Sequence, residues 1–337
     1  MSDPSSVFRH PSSSPSLLVG IDTEGDNQWD RDARRNQRFE NIYALPRLHA
    51  LFARHGIRPT YVITYPVATD ARSAEVLREL KAGGDCEIGA HHHAWETPPC
   101  TPEDIERHPY ASNLPLGQFE QQLTALTDAI ERAVGERPVS YRSGRFGFSA
   151  AHVSALERAG YQIESSVAPL FYEAHKNGPD FVEAPLRPYF LAYDSATRPG
   201  TSQLLEVPVS AALNRRLPHR LQYLYARAPR NYTTKRVLRK LGIARMRWLR
   251  PSYSSLDDMV SLATDLARER QPALNLLFHS SEAIVGGSPY NRTDAELRAF
   301  CDRLERFFDV ATTKLNARPV TFTEFRRAYV TPLSTSC

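Results

Sequence analysis

Short apolar runs recur along this chain, each followed by a stretch whose apolar residues return every three or four positions. Residues 17–21, 60–64, 86–91, 140–143, 161–166, 204–210, 273–278 and 319–322 read as strands. Several are apolar throughout, as expected of strands covered on both faces. The intervening stripes read as helices. Ile42, Leu45, Leu48, Leu51 and Phe52 form one, closed at Gly56, and Val76, Leu77 and Leu80 mark another, stopped by Gly83 and Gly84. Phe119, Leu123, Leu126, Ile130 and Val134 predict a long helix ending at Gly135. Ser149 reads as the cap of a helix carrying Val153 and Leu156, and Ser255-x-x-Asp258 and Thr293-x-x-Glu296 open two more. Alternation of this kind implies an α/β fold with a mostly parallel sheet and outer helices, and six to eight units favour a closed barrel.

The rhythm breaks between about 171 and 251. This stretch holds several prolines, one good strand (204–210) and a basic segment, with twelve Lys or Arg and no Asp or Glu from Arg215 to Arg250. The full chain of 337 residues carries only +4, so everything outside that segment is net acidic. Tyr223, Tyr225, Tyr232 and Trp248 are interleaved with the cations. A solvated helical face is one reading of the segment. Contact with an anionic membrane surface or a phosphate-linked glycan carrier is another. Nucleic acid is not expected, because no recognised module accompanies the charge.

The four cysteines, Cys86, Cys100, Cys301 and Cys337, form no CxxC pair, which argues against a zinc ribbon or a disulfide framework. Residues 1–15 are Ser/Pro-rich and read as a disordered leader rather than a signal peptide. No apolar run reaches the ~20 residues of a membrane span. A cytoplasmic protein, with peripheral membrane association left open, is the expectation.

Polar residues at strand ends carry the candidate chemistry. Asp22 and Glu24 follow the first strand, His91, His92 and His93 the third, Arg142 the fourth, and His279 the apolar run 273–278. Parallel strands bring their C-terminal ends to one face, so these residues can converge. Two imidazoles and a carboxylate leave a divalent ion open positions for water or substrate. A further carboxylate suits a general base, and a histidine opposite suits a general acid. Residues two apart on a strand face the same side, which groups His91 with His93 and sends His92 away. Asp26 is open as a ligand or a loop cap, Glu282 as a partner of His279 or an exposed group, and Trp95 as a sugar-stacking or core residue.

The runs VGIDTEGD, GDCEIGAHHHAW, SYRSGRFG and LLFHSSE together resemble the four motifs of the polysaccharide deacetylases, carbohydrate esterase family four, with the chitooligosaccharide-deacetylase homology domain. The resemblance covers roughly 17–170 and 252–330, with 171–251 as an insertion in a single domain of residues 16–332. It implies a distorted (β/α)7-type barrel. It also implies Asp22 as catalytic base, Glu24 and His91 as metal ligands, Arg142 as the partner of the base, and His279 as general acid. The family's second histidine stands four residues after the first, where this chain has Trp95. His93 is the nearest substitute, as in a subset with a His-x-His-x-Trp form. Trp95 and Arg145 are candidate substrate contacts. The implied activity is removal of an acetyl group from an N-acetylated sugar or polysaccharide by metal-activated water, within bacterial polysaccharide biosynthesis. Zinc is the expected ion, with cobalt or nickel as alternatives. The competing readings are an amidohydrolase acting on a non-carbohydrate C–N bond and a non-catalytic glycan-binding relative.

Overall fold

A computed structural model of the chain describes residues 14–330 apart from 102, 216, 229–232 and 241–243. Most of the leader, Tyr232 and Cys337 lie outside the described residues. Among the described residues twelve strands are formed: β1 (Ser16–Thr23), β2 (Thr60–Ile63), β3 (Glu87–His92), β4 (Ser140–Ser143), β5 (Ile163–Glu164), β6 (Tyr189–Ala192), β7 (Ser195–Pro199), β8 (Leu205–Glu206), β9 (Ala211–Leu213), β10 (Met246–Trp248), β11 (Ala273–His279) and β12 (Arg318–Pro319). The main sheet runs β11-β1-β2-β3-β4-β5-β8-β6-β7, with β12 beside the start of β1. Every pairing from β11 through β8 is parallel, which gives seven parallel strands, and β6 and β7 continue as an antiparallel hairpin.

The sheet curls but does not close by a regular ladder. Between β8 and β11 the gap is bridged by Ser210 N–H donating to the Asn275 carbonyl and by the Asn275 amide donating to the Val207 and Pro208 carbonyls. The expected closed barrel is therefore a half-barrel fastened by the buried Asn275 and by Leu249, whose N–H donates to the Ser210 carbonyl and whose carbonyl accepts from the Leu277 N–H. β6, β7 and β8 lie within the stretch set apart in sequence as an insertion, so that stretch supplies the parallel strand β8 and the antiparallel hairpin that continues the sheet. Ser149 makes no side-chain cap; the chain there turns through a short 3-10 segment before the helix Val153–Arg158. The other capping expectations match: Ser255 accepts from Asp258 N–H, and Thr293 and Glu296 cap reciprocally.

Alternation along the strands separates two cores. Leu17, Val19 and Ile21 of β1 face the outer helices, together with Tyr61, Ile63, Ile88, Ala90 and Tyr141. Leu18 faces inward, packed with Ile163, Leu205 and Phe322 from the last helix, Phe322–Val330. Gly20 is the next inward position, and Asp22 the one at the rim. A Cβ on Gly20 would stand 2.5 Å from an Arg142 guanidinium nitrogen, so glycine is what admits that side chain to the interior. The inward column of β1 thus runs apolar, empty, acidic from bottom to top.

One polar feature faces the outer layer. Glu164 and Glu206 stand side by side on β5 and β8 and are fully buried. Burial, followed by the charge of Glu164, holds the Glu206 carboxyl well above the ordinary range, so one proton is retained between the two.

Two outcomes test this frame. Gly20→Ala is expected to destabilise by about 1–3 kcal/mol through overpacking, whereas Gly117→Ala, with open space at its Cβ, is expected to be near neutral; denaturant midpoints read both. Because the Glu206 pKa is raised on folding, the native state keeps a proton that the unfolded chain releases above about pH 4.3. Stability is then lost as pH rises above that value. Glu206→Gln is expected to stabilise the protein at pH 8 and to flatten this loss, with little effect at pH 4.

Candidate metal centre and catalytic cleft

The strand ends do converge. Glu24, His91 and His93 bring one ligand atom each to within 4.8 Å of one another, all three side chains buried. The His91 and His93 Nε2 atoms are 3.1 Å apart, and Glu24 Oε2 lies 3.3 Å from His93 Nε2 and 3.8 Å from His91 Nε2. Four ligands around zinc at about 2.0–2.1 Å stand about 3.3 Å from each other, so the donor spacing fits such an ion.

The protonation pattern fits as well. His91 Nδ1–H donates to the Arg142 carbonyl at 3.0 Å, which leaves the Nε2 lone pair facing Glu24. Burial pushes the His91 pKa down to about 3, so the ring is neutral. His93 Nδ1 lies 2.8 Å from the Glu96 carboxylate, off the ring's N–H axis. Glu96 is itself held by the Gln37 amide at 2.6 Å. Burial, then the charges of Asp22 and Glu96, raise the Glu24 carboxyl well above its usual range. The carboxylates of Asp22, Glu24 and Glu96 gather around the two imidazoles, a setting that a divalent cation suits.

Asp22 is in a different position. Burial opposes its ionisation, but the neighbouring His91, Arg142 and His279 side chains and the hydrogen bond from Arg142 outweigh it and hold the carboxyl well below the ordinary range. Arg142 is fully buried. It donates from Nη1 to Asp22 Oδ1 at 2.7 Å, from Nε to the Ser165 carbonyl at 2.8 Å and from Nη2 to Ser165 Oγ at 3.1 Å. The second Asp22 oxygen is left toward the cleft, 3.8 Å from His279 Nε2.

His279 ends β11, in register with Asp22. Glu282 is fully buried rather than exposed. Its Oε1 accepts from the His279 backbone N–H at 3.1 Å and lies 2.8 Å from Nδ1. Arg250 Nη2 approaches the same carboxylate at 3.3 Å, and Ser252 Oγ donates to its other oxygen. With Nδ1–H given to Glu282, Nε2 faces the cleft. Trp29 packs edge-on against the ring at 4.8 Å.

His92 turns the other way. It contacts Gln122 Oε1 at 2.7 Å and the Tyr141 hydroxyl at 3.1 Å, beneath the helix Leu116–Val134. Asp26 takes no part in the cluster; it accepts the backbone N–H groups of Glu40 and Asn41 at the start of the helix Glu40–Tyr43. Trp95 lines the cleft, its ring tilted against His93 at 4.3 Å and under the Arg145 guanidinium at 4.5 Å. The cleft holds about 440 Å³. A larger cavity, about 810 Å³, lies between Ala211–Leu213 and the helix Leu256–Arg268 and contains none of the strand-end residues.

The basic segment is not one solvated face. Arg247 and Arg250 are buried, Arg247 against Asp265 at 2.9 Å and Ser261 at 2.7 Å, and Trp248 and Arg250 line the cleft. The helix His219–Arg227 does expose Leu221 and Leu224. Among the described residues no helix is long and apolar enough to cross a membrane.

No family model and no curated protein matches the sequence. Solved structures do match. A Mycobacterium smegmatis protein assigned to the polysaccharide deacetylases aligns over 97% of this chain and 94% of its own, at 15% identity and a TM-score of 0.57. A Parabacteroides distasonis protein assigned as a glycoside hydrolase or deacetylase aligns over 97% and 73%, at 13% identity and a TM-score of 0.64. This is the polysaccharide deacetylase fold. The PuuE allantoinase shares it, over 98% of both chains at 14% identity and a TM-score of 0.55. Within this fold the chain brings a carboxylate and two imidazoles together beside an Arg-bound aspartate and a Glu-bound histidine, whose Nε2 lies 3.8 Å from both Asp22 and Glu24.

Metal analysis tests the ligand set. His93→Ala and Glu24→Gln are expected to lower zinc stoichiometry well below one per chain after dialysis, while Trp95→Phe and His92→Gln keep it near one. Zinc retained in His93→Ala but lost in Trp95 variants is the contrary result.

Proposed function

We propose that this chain is a metal-dependent hydrolase of the polysaccharide deacetylase family that removes an acetyl group from an N-acetylated sugar. The observation that carries the reading is the pairing of the Glu24–His91–His93 cluster with an Arg142-bound Asp22 and a Glu282-bound His279 across one cleft. Bound by those three side chains, a divalent ion supplies Lewis acidity to a carbonyl and acidifies water.

The remaining roles fall to the chain's own groups. Asp22 stays ionised under Arg142, with one oxygen free to take the proton of the attacking water. Arg142 fixes the orientation of that oxygen by holding the other one. His279 presents Nε2 where a departing nitrogen needs a proton, and Glu282 stabilises the imidazolium that delivers it. Arg250 and Ser252 keep Glu282 in place, so the acid is seated on a buried hydrogen-bonded base. Trp95, Trp29 and Trp248 supply flat apolar faces of the kind sugar rings pack on.

A second reading keeps the chemistry and changes the substrate. One neighbour of full mutual coverage is named as an allantoinase, which favours retaining a non-carbohydrate C–N bond as the alternative. Acetate release from N-acetylhexosamine oligomers supports the first reading; hydrolysis of a small non-sugar amide with none from sugars supports the second.

Asp22→Asn is expected to lower acetate release by at least about a thousandfold, within the range of losses seen for activated-nucleophile machinery, with zinc still bound. Loss of zinc on that change, with activity kept in Glu24→Gln, shows that the two acids have exchanged roles.

A further inference from the structure

We propose that the mouth of the cleft binds an anionic group of the substrate between Arg34 and Arg145, so that the acylated sugar is one carrying a phosphate, sulfate or carboxylate; this rests on the deacetylase reading of the cleft. Both arginines line it. Some exposed arginines, such as Arg31, Arg54 and Arg158, reach a carboxylate, whereas others, such as Arg35 and Arg78, face solvent away from the cleft; what sets Arg34 and Arg145 apart is that they line it together. Among the described residues, Arg34 and Arg145 reach none. Arg34 donates only to the Gln28 carbonyl at 2.8 Å, and its Nε is shielded from solvent without a partner. Arg145 makes one long contact to the Pro109 carbonyl at 3.4 Å and lies over the Trp95 face. Glu173, the remaining carboxylate of the lining besides Asp22 and Glu24, already holds Lys176 at 3.0 Å. The mouth is thus left with two uncompensated guanidinium groups.

The placement of Arg145 is also costly to the backbone. Arg145 and Phe146 take φ of 53° and 60°, a region non-glycine residues avoid, at about 1–3 kcal/mol where a residue is held under strain. The turn is seated on the metal cluster: a Cβ on Gly144 would fall 1.9 Å from His93 Cδ2. Gly144 therefore lets the turn press against a ligand, and Arg145 is raised at the edge of the same cleft. Partial burial against the wall and the charge of Arg34 both disfavour the Arg145 cation. An anion between the two groups removes that repulsion, and planar guanidinium forks suit phosphate, sulfate and carboxylate. The catalytic carboxylates deeper in the cleft repel such a group, which keeps it at the mouth while the acyl group enters.

The test compares binding and turnover in the zinc-loaded protein. Probes are N-acetylglucosamine, its 6-phosphate and 6-sulfate, and a uronate-containing N-acetylated disaccharide. At least one anionic sugar is expected to bind about tenfold or more tightly than the neutral sugar, with the gain shrinking at high salt. Arg34→Gln and Arg145→Gln are each expected to remove about tenfold of that gain, read as the ratio of anionic-sugar to neutral-sugar affinity in the same variant, while zinc content stays unchanged. The member with the largest arginine-dependent gain identifies the anion. Equal binding of neutral and anionic sugars, or a preference that survives both substitutions, overturns the proposal; if acetate is still released, the deacetylase reading stands. Arginine-dependent anion binding without acetate release from any sugar upholds the anion site and removes the deacetylase reading.

Discussion

The buried guanidinium of Arg142 is the interaction on which the rest of this site depends. A fully enclosed cation is tolerable only if its donors are met by acceptors of suitable charge, and here a carboxylate, a carbonyl and a hydroxyl meet them. Those partners come from β1 and from the residue that follows β5, while the arginine comes from β4. Ser165 in turn accepts from the Asn275 amide of β11, the same amide that fastens the open side of the barrel. One hydrogen-bonded chain therefore links the barrel's closure to the orientation of Asp22. Gly20 belongs to it as a space rather than a contact. Phe322 of the last helix underlies the guanidinium at 5.7 Å, sealing it from below.

That cation also divides the carboxylates into two kinds. Asp22 and Glu24 are two residues apart and equally buried, yet burial and neighbours move their pKa values in opposite directions. Asp22 has Arg142 against it and is held ionised by the protein. Glu24 has Asp22 and Glu96 nearby, and the charge of Arg250 does not outweigh them, so a cation at its oxygens is what would hold it ionised. A base that must keep a free oxygen and a ligand that must share its own are thereby distinguished by one side chain on a neighbouring strand. The same logic applies across the cleft, where Glu282 is lowered despite its burial by the hydrogen bond from His279 and the charge of Arg250.

Much of this was readable in the chain because strand periodicity carries geometric information. In β1 the order Leu18, Gly20, Asp22 is an inward column, and the period of two that defines it also groups His91 with His93 and excludes His92. Parallel register then brings Asp22 beside His279 without any sequence proximity. What could not be read lies where that periodicity is absent. Arg250 follows a short strand in an irregular basic stretch, and charge counting grouped it with exposed cations although it is buried. Glu96 sits in the turn after His93; its spacing of three from that histidine was the available signal. Arg34 comes from a five-residue helix with no apolar stripe. β8 was read as a strand, but its membership in the main sheet was hidden by the irregular chain around it.

The cleft is electrically layered as a result. At its floor, Glu24 and its acidic neighbours lack positive charge; at its mouth, Arg34 and Arg145 lack negative charge. Arg145 lies over the Trp95 ring and, among the described residues, makes no ion pair with the carboxylates below. Asp22 is already committed to Arg142, and Glu282 to His279 and Arg250. Each layer is therefore left to be completed by something that enters: a cation at the floor and an anion at the rim. A protein selected for stability alone would gain by letting these charges meet, since unpaired groups in a partly desolvated cleft raise its free energy. Trp95, four residues after His91 where the resemblance implies a histidine, touches both layers at once: its ring lies against His93 at the floor and under Arg145 at the rim.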